Sequence, residues 1–142
     1  VIVGFPGESD EAFERTVEVV SRIGFSKLHV FRYSPRPGTA AASARDEVPA
    51  DVKKERSRRL IAVGNDIRAR FLDAHLDRPL DVLVEDERVV DGRRICSGQT
   101  TDYVRVWFEG EGLLGRVAPA VGERVRADGI EGRLCEGGGQ HG

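Results

Sequence analysis

The hydrophobic pattern changes its period once, near residue 76, and that change limits the folds open to this chain. Before it, β-branched runs alternate with helical spacing. After it, short β-rich runs alternate with glycine. Val1-Ile2-Val3 is a continuous β-branched run ended by Gly4, the pattern of a strand covered on both faces. Gly4-Phe5-Pro6-Gly7 breaks it, and Ser9 stands where a helix N-cap is wanted, with Asp10 and Glu11 at the positive end of the helix dipole. Phe13, Val17, Val20 and Ile23 follow at helical spacing, and Gly24 suits a left-handed C-terminal cap. Leu28 to Tyr33 reads as the next strand, which makes a parallel βαβ unit. One such unit cannot close a sheet, and the chain contains no methionine. The expectation is a C-terminal piece of a longer chain whose remaining strands lie upstream.

Ser34-Pro35-Arg36-Pro37-Gly38-Thr39 is a stiff loop, and Pro49 suits a first helical position. From there to about His75 the pattern is helical, with Leu60, Val63, Ile67 and Phe71 as its apolar stripe. Lys53, Lys54, Arg58 and Arg59 are read on the opposite face, either as a solvated surface or as a surface for a nucleic-acid backbone. Leu76 to Pro79 reads as a hinge. Beyond it, Leu80–Glu85, Arg94–Ser97, Tyr103–Phe108, Leu113–Val117, Glu123–Ala127 and Gly132–Cys135 predict five or six short strands of a small β-barrel. The domains expected are 1–75 and 76–136, with a disordered glycine-rich tail over 137–142. The fold class is α/β followed by all-β.

Charged residues at 32% and hydrophobic ones at 39% fit a soluble globular chain. No apolar run approaches the roughly 20 residues that span a bilayer, so a membrane is not an expected partner. Residues 1–75 hold 13 Lys and Arg against 11 Asp and Glu, while 76–142 hold 9 against 13. A strongly basic nucleic-acid footprint is therefore absent, and any RNA role rests on local patches. Cys96 and Cys135 lack metal-type spacing and read as free thiols in a reducing cytoplasm.

Three motifs then coincide in order: Ile2-Val3-Gly4-Phe5-Pro6-Gly7-Glu8, His29-Val30-Phe31-Arg32-Tyr33-Ser34-Pro35-Arg36-Pro37-Gly38-Thr39, and Gly98-Gln99-Thr100-Thr101-Asp102-Tyr103-Val104-Arg105-Val106. Together they resemble the last strands of a radical-SAM partial (β/α) barrel followed by an OB-like TRAM barrel, as in the tRNA methylthiotransferases of the MiaB/MtaB type. The resemblance covers nearly the whole chain. It implies S-adenosylmethionine and 4Fe-4S clusters at the C-terminal ends of the parallel strands, in the full-length enzyme. The cluster-binding CxxxCxxC loop is not in this sequence, so no catalytic residue is assigned, and the chain is expected to bind no cofactor and to be inert by itself.

Ile2 and Gly4 match the strand beside the cofactor's adenine, and Phe31 and Tyr33 the strand on its other side; the alternative is that all four are barrel core. Arg36, held between prolines, is able to grip phosphate with its planar fork, or else braces its own loop. Thr39 belongs to the same motif and is assigned to RNA binding with it. Tyr103, Arg105 and Trp107 alternate and would share one strand face, a platform for single-stranded RNA, unless Trp107 is the core residue of the barrel.

The family modifies three substrates. The branch acting on a ribosomal protein carries an acidic loop where this chain has Arg36, which favours RNA, although the acidic balance of the second half suits a basic protein. Leu28-His29-Val30-Phe31-Arg32-Tyr33 and Asp102-Tyr103-Val104-Arg105-Val106 resemble the threonylcarbamoyladenosine branch more than the isopentenyladenosine one. The implied partners are the anticodon stem-loop of tRNA and the upstream part of the same chain. Outside the enzyme reading stands a non-catalytic TRAM-type RNA-binding module.

Overall fold

The computed structural model describes residues 1–127 and 129–135, which form two compact units, 1–69 and a second beginning at Arg70. The predicted glycine tail lies outside the described residues. In the first unit, β1 (Ile2–Val3) pairs in parallel with β2 (Phe31–Arg32), and α1 (Asp10–Ile23) connects them. The parallel βαβ arrangement expected from the sequence is present. Both strands are shorter than the apolar runs that predict them, because only Ile2↔Phe31 and Val3↔Arg32 find a partner across the pair.

Both caps of α1 form as read. Ser9 Oγ accepts from the Ala12 amide at 3.1 Å, and Gly24 adopts φ 69° with its amide donating to Val20 O. Phe13 and Val20 then bury against Val3, Leu60 and Ile67. Thr39 caps a 3-10 turn over Ala40–Ser43. Its hydroxyl donates to Arg36 O at 2.8 Å and accepts from the Ala42 amide at 3.3 Å.

Helix α2 (Ala50–Asp73) follows directly after Pro49, whose carbonyl accepts from the Lys53 amide. The helix runs through the division between the units. Leu60 and Ile67 belong to the first core, whereas Leu72 is buried in the core of the second and Phe71 packs against it. Lys53 is not on the solvated face as expected: it is buried, as is Arg56. Positions 53, 56, 60, 63 and 67 follow one another at three- and four-residue steps, so both cations continue the apolar stripe.

In the second unit, β3 (Pro79–Val90), β4 (Arg93–Gln99), β5 (Arg105–Glu109), β6 (Val117–Arg126) and β7 (Gly129–Leu134) close into a barrel in the order β3-β4-β5-β7-β6. All pairings are antiparallel except β5 with β7. Strand β3 is long enough to pair with both β4 and β6, and its register shifts between Val84 and Asp86. The charged run Asp86-Glu87-Arg88 therefore continues a strand that the sequence pattern ends at Glu85. The predicted Leu113–Val117 and Glu123–Ala127 strands are corrected to one strand, β6, preceded by a turn at Leu113–Arg116. Pro119 and the shift between Gly122 and Arg124 disguise its continuity.

Nor is the segment Leu76–Pro79 a free hinge. Leu76 bridges to Gly122, and the Asp77 amide donates to Gly122 O at 2.9 Å. Strict alternation fills the barrel with Leu80, Val82, Val84, Val106, Phe108, Ala118, Ala120 and Ile130. At neighbouring positions of β5, Phe108 thus points in and Trp107 out. Phe108→Ala is expected to cost about 3–5 kcal/mol by cavity formation, while Trp107→Phe costs much less; urea unfolding of the two variants measures both.

Candidate functional site

The first unit carries a tightly tied turn. Glu8 Oε1 accepts from the Gly4 amide at 2.9 Å and from Arg56 Nη1 at 2.6 Å. Arg56 also donates to Glu8 O at 2.9 Å and to Asp10 Oδ1 at 2.7 Å. Burial pulls the Arg56 pKa down, but hydrogen bonds to Asp10 and Glu8 outweigh it and hold the guanidinium above its usual value. Gly4 has φ 73°, and a Cβ there would lie 2.4 Å from Lys53 Cγ, so glycine is required twice over. Lys53 Nζ continues to Glu47 at 3.1 Å and stands 5.4 Å from the centre of the Tyr33 ring, which Phe5 meets edge-on at 5.1 Å.

The four residues matched to a cofactor strand therefore separate into two pairs. Ile2 and Phe31 are register partners and both exposed, at 56% and 61%. They form an exposed apolar ledge. Gly4 and Tyr33 instead pack on Lys53. The buried Tyr33 hydroxyl has no hydrogen-bond partner among the described residues. Arg36 is exposed, and its carbonyl, not its side chain, organises the loop through Thr39. The basic run of α2 is mostly neutralised, since Arg59 pairs with Glu14 and Arg58 with Glu55 at 2.6 Å.

In the second unit, Tyr103 is not on the strand with Arg105 and Trp107. It sits in the turn before β5 with φ 59° and is 80% exposed. That turn is closed by Thr100, whose hydroxyl accepts from the Val104 amide at 3.1 Å, and by Asp102, whose carboxylate lies 3.3 Å from His75 Nε2. A bulky residue at positive φ is uncommon, and the turn imposes it on Tyr103.

Arg105 and Trp107 do share the outer face of β5. They line a groove of about 690 Å³ that crosses the outside of the barrel and includes Ser97 of β4, Arg126 of β6 and Glu131 of β7. Trp107 is half-buried there, outside the core. The indole lies against Gly129, where a Cβ would come within 2.6 Å of Cζ3. Arg126 Cζ stands 5.6 Å from the ring centre on the tryptophan. Arg126 is the contributor that sequence reading missed; its signal was the outward phase of a strand that had been divided in two. Cys96 is interior, its thiol donating to Gly110 O at 3.3 Å, with burial pushing its pKa up. Among the described residues no three His, Cys, Asp or Glu side chains converge as a metal-ligand group, and no helix is long and apolar enough to cross a membrane.

A mixed helix–sheet unit followed by a closed five-stranded barrel is compatible with a TRAM-like β domain carried behind an α/β segment. No protein-family model matches the chain. It is 37% identical over 137 residues to a tRNA-2-methylthio-N(6)-dimethylallyladenosine synthase of Aquifex aeolicus, covering 96% of this chain and 30% of that protein. It is also 37% identical over 119 residues to the threonylcarbamoyladenosine tRNA methylthiotransferase MtaB of Bacillus subtilis, covering 82% of this chain and 26% of that protein. A Bartonella bacilliformis dimethylallyladenosine synthase reaches 43% over 86 residues, 61% of this chain and 19% of that one. The chain is a homologue of the tRNA methylthiotransferases, of the MiaB and MtaB type, and matches their C-terminal part. It spans less than a third of the length of these curated relatives.

The Arg56 tie yields a direct test. Removing it leaves the Glu8 carboxylate, 12% exposed, without its cation. Arg56→Ala is expected to destabilise the first unit by about 3–5 kcal/mol, the range for breaking a buried pair from one side. Arg56→Lys should recover only part, since one ammonium does not span both carboxylates as the fork does. Hydrogen exchange at the Gly4 and Val3 amides reads the loss.

Proposed function

We propose that this chain is the C-terminal portion of a tRNA methylthiotransferase that acts on N6-threonylcarbamoyladenosine beside the anticodon, in the cytoplasm, with the barrel serving as a tRNA-binding TRAM domain. The observation that carries the RNA part is the outer groove of β4, β5 and β7. In five-stranded barrels of this kind the second and third strands, and the loops beside them, are the surface that takes oligonucleotides. Here that surface presents Arg105 and Trp107. In the same reading Arg36, exposed and held by its loop, reaches a phosphate of the anticodon stem-loop; Thr39 supports it by fixing the Arg36 carbonyl, and Tyr103 offers an exposed ring from its turn.

The Ile2–Phe31 ledge fits the adenine of S-adenosylmethionine, and an exposed apolar pair gains by being covered. When bound with its reduced 4Fe-4S cluster, S-adenosylmethionine supplies the radical that takes hydrogen from the base. What this chain contributes is orientation. Ile2 and Phe31 hold one face of the adenine, and the Glu8–Arg56 tie fixes the turn that follows β1. The cluster cysteines are assigned to the upstream part of the enzyme, so the chain alone is expected to be inactive.

A second substrate reading has a specific observation behind it. The dimethylallyladenosine synthase of Aquifex aeolicus aligns over 96% of this chain, against 82% for MtaB. The motifs around Phe31 and Tyr103 nonetheless favour the threonylcarbamoyl branch. Expression of the complete coding region in a host lacking both methylthio modifications, followed by mass analysis of tRNA nucleosides, decides between them. A methylthio group on threonylcarbamoyladenosine is expected. Its appearance on the isopentenyl nucleoside would establish the second reading, and its absence from both would overturn the enzymatic one. In the complete enzyme, Arg36→Ala should weaken tRNA binding by roughly 1–3 kcal/mol, the scale of one charge-assisted hydrogen bond.

A further inference from the structure

The groove on the barrel is not a basic trough. Four of its arginines are engaged by carboxylates: Arg88 with Asp86, Arg93 with Glu109, Arg105 with Glu85 and Arg133 with Glu123. Arg126 is different. It is exposed, it has no carboxylate partner among the described residues, and its guanidinium stands over the Trp107 ring. Trp107 in turn is fixed from below by Gly129, where no side chain fits.

We propose that Trp107 and Arg126 form a slot for one unpaired nucleotide, the base stacking on the indole and the guanidinium closing over it or taking the adjoining phosphate. The inference rests on the RNA reading above and deepens it. A groove whose cations are paired offers a phosphate backbone little net positive charge, although exposed pairs of this kind exchange partners at small cost. A π-face is available to any base regardless of charge, and stacking on an aromatic ring is the sequence-tolerant way to hold a single strand. Arg126 adds a charge that no carboxylate among the described residues has taken up, and its guanidinium is planar, so it stacks where lysine does not. A base inside a duplex is covered on both faces by its neighbours and shows only its edges, sugar and phosphate, so it cannot stack on the indole. The ligand class is therefore a looped-out or terminal nucleotide of single-stranded RNA.

Trp107 is the only tryptophan of the chain, so its fluorescence reports this slot alone. The test titrates the 142-residue chain with a single-stranded hexaribonucleotide and with a duplex of the same sequence, reading tryptophan quenching. In parallel, fluorescently labelled unmodified tRNA is followed by anisotropy. Saturable quenching by the single strand and none by the duplex is expected. Arg126→Ala, an exposed substitution that leaves the core untouched, should weaken single-strand binding about tenfold and lower the salt slope by about 0.7, one single-strand phosphate. Arg126→Lys should restore the slope but not the full affinity. If tRNA raises the anisotropy while Trp107 stays silent, the slot is wrong and the RNA reading stands. Equal quenching by the duplex also overturns the slot. If neither signal changes, the slot and the RNA-binding reading of the barrel fall together.

Discussion

Barrel closure depends on a backbone contact that only glycine permits. Strand β7 completes the barrel by running parallel to β5, with Gly129 opposite Arg105. A Cβ on Gly129 would lie 2.4 Å from Arg105 O, so any side chain there forces the two strands apart. Gly98 does the same for β3 and β4, where a Cβ would meet Leu83 O at 1.9 Å. These close approaches let a short chain cover its sheet edges without a second layer, which is how small barrels avoid open edges. The Gly129 contact also seats the Trp107 indole. The constraint that closes the fold thus prepares the surface proposed to bind RNA.

The first unit is organised by a different interaction, the buried guanidinium of Arg56. It gathers Glu8 and Asp10, and through Glu8 the Gly4 amide, around the turn that follows β1. A buried ion pair of this kind holds geometry more than it adds stability, because desolvation offsets much of the attraction. The consequence for function is negative as well as positive. Of the α2 cations that a sequence reading offers to a nucleic acid, Lys53, Arg58 and Arg59 are paired within the chain, with Glu47, Glu55 and Glu14. On the reading proposed above, RNA contact falls on the barrel groove, where Trp107 offers a ring face that needs no free cation, rather than on the helix.

Much of this was legible in the order of the residues. Ser9 and Gly24 announce both ends of α1, the parallel pairing of β1 and β2 follows from the helix that crosses over between two strand runs, and the switch of period near residue 76 announces a barrel. The misreadings share one cause: local patterns do not report who the partner is. Asp86-Glu87-Arg88 looks like a strand end, yet it pairs with Arg88↔Ile95 and its neighbours along β4. Leu76–Pro79 looks like a hinge because its ties to Gly122 are long-range. The charge of Lys53 points to the solvated face, although its helical phase with Leu60 and Ile67 puts it on the buried one. Alternation groups Tyr103 with Arg105 and Trp107 because it does not reveal that a turn intervenes. Arg126 was invisible as a site because its partner, Trp107, lies on another strand.

The central claim is that RNA meets this chain on the outer face of the barrel rather than on helix α2. Photo-crosslinking of the chain to unmodified tRNA, with the linked peptides mapped by mass spectrometry, tests it most directly. Crosslinks are expected on the segment holding Arg105 and Trp107 and on the segment holding Arg126. Crosslinks confined to the Lys53–Arg59 segment of α2, with none on β5 or β6, would contradict the account.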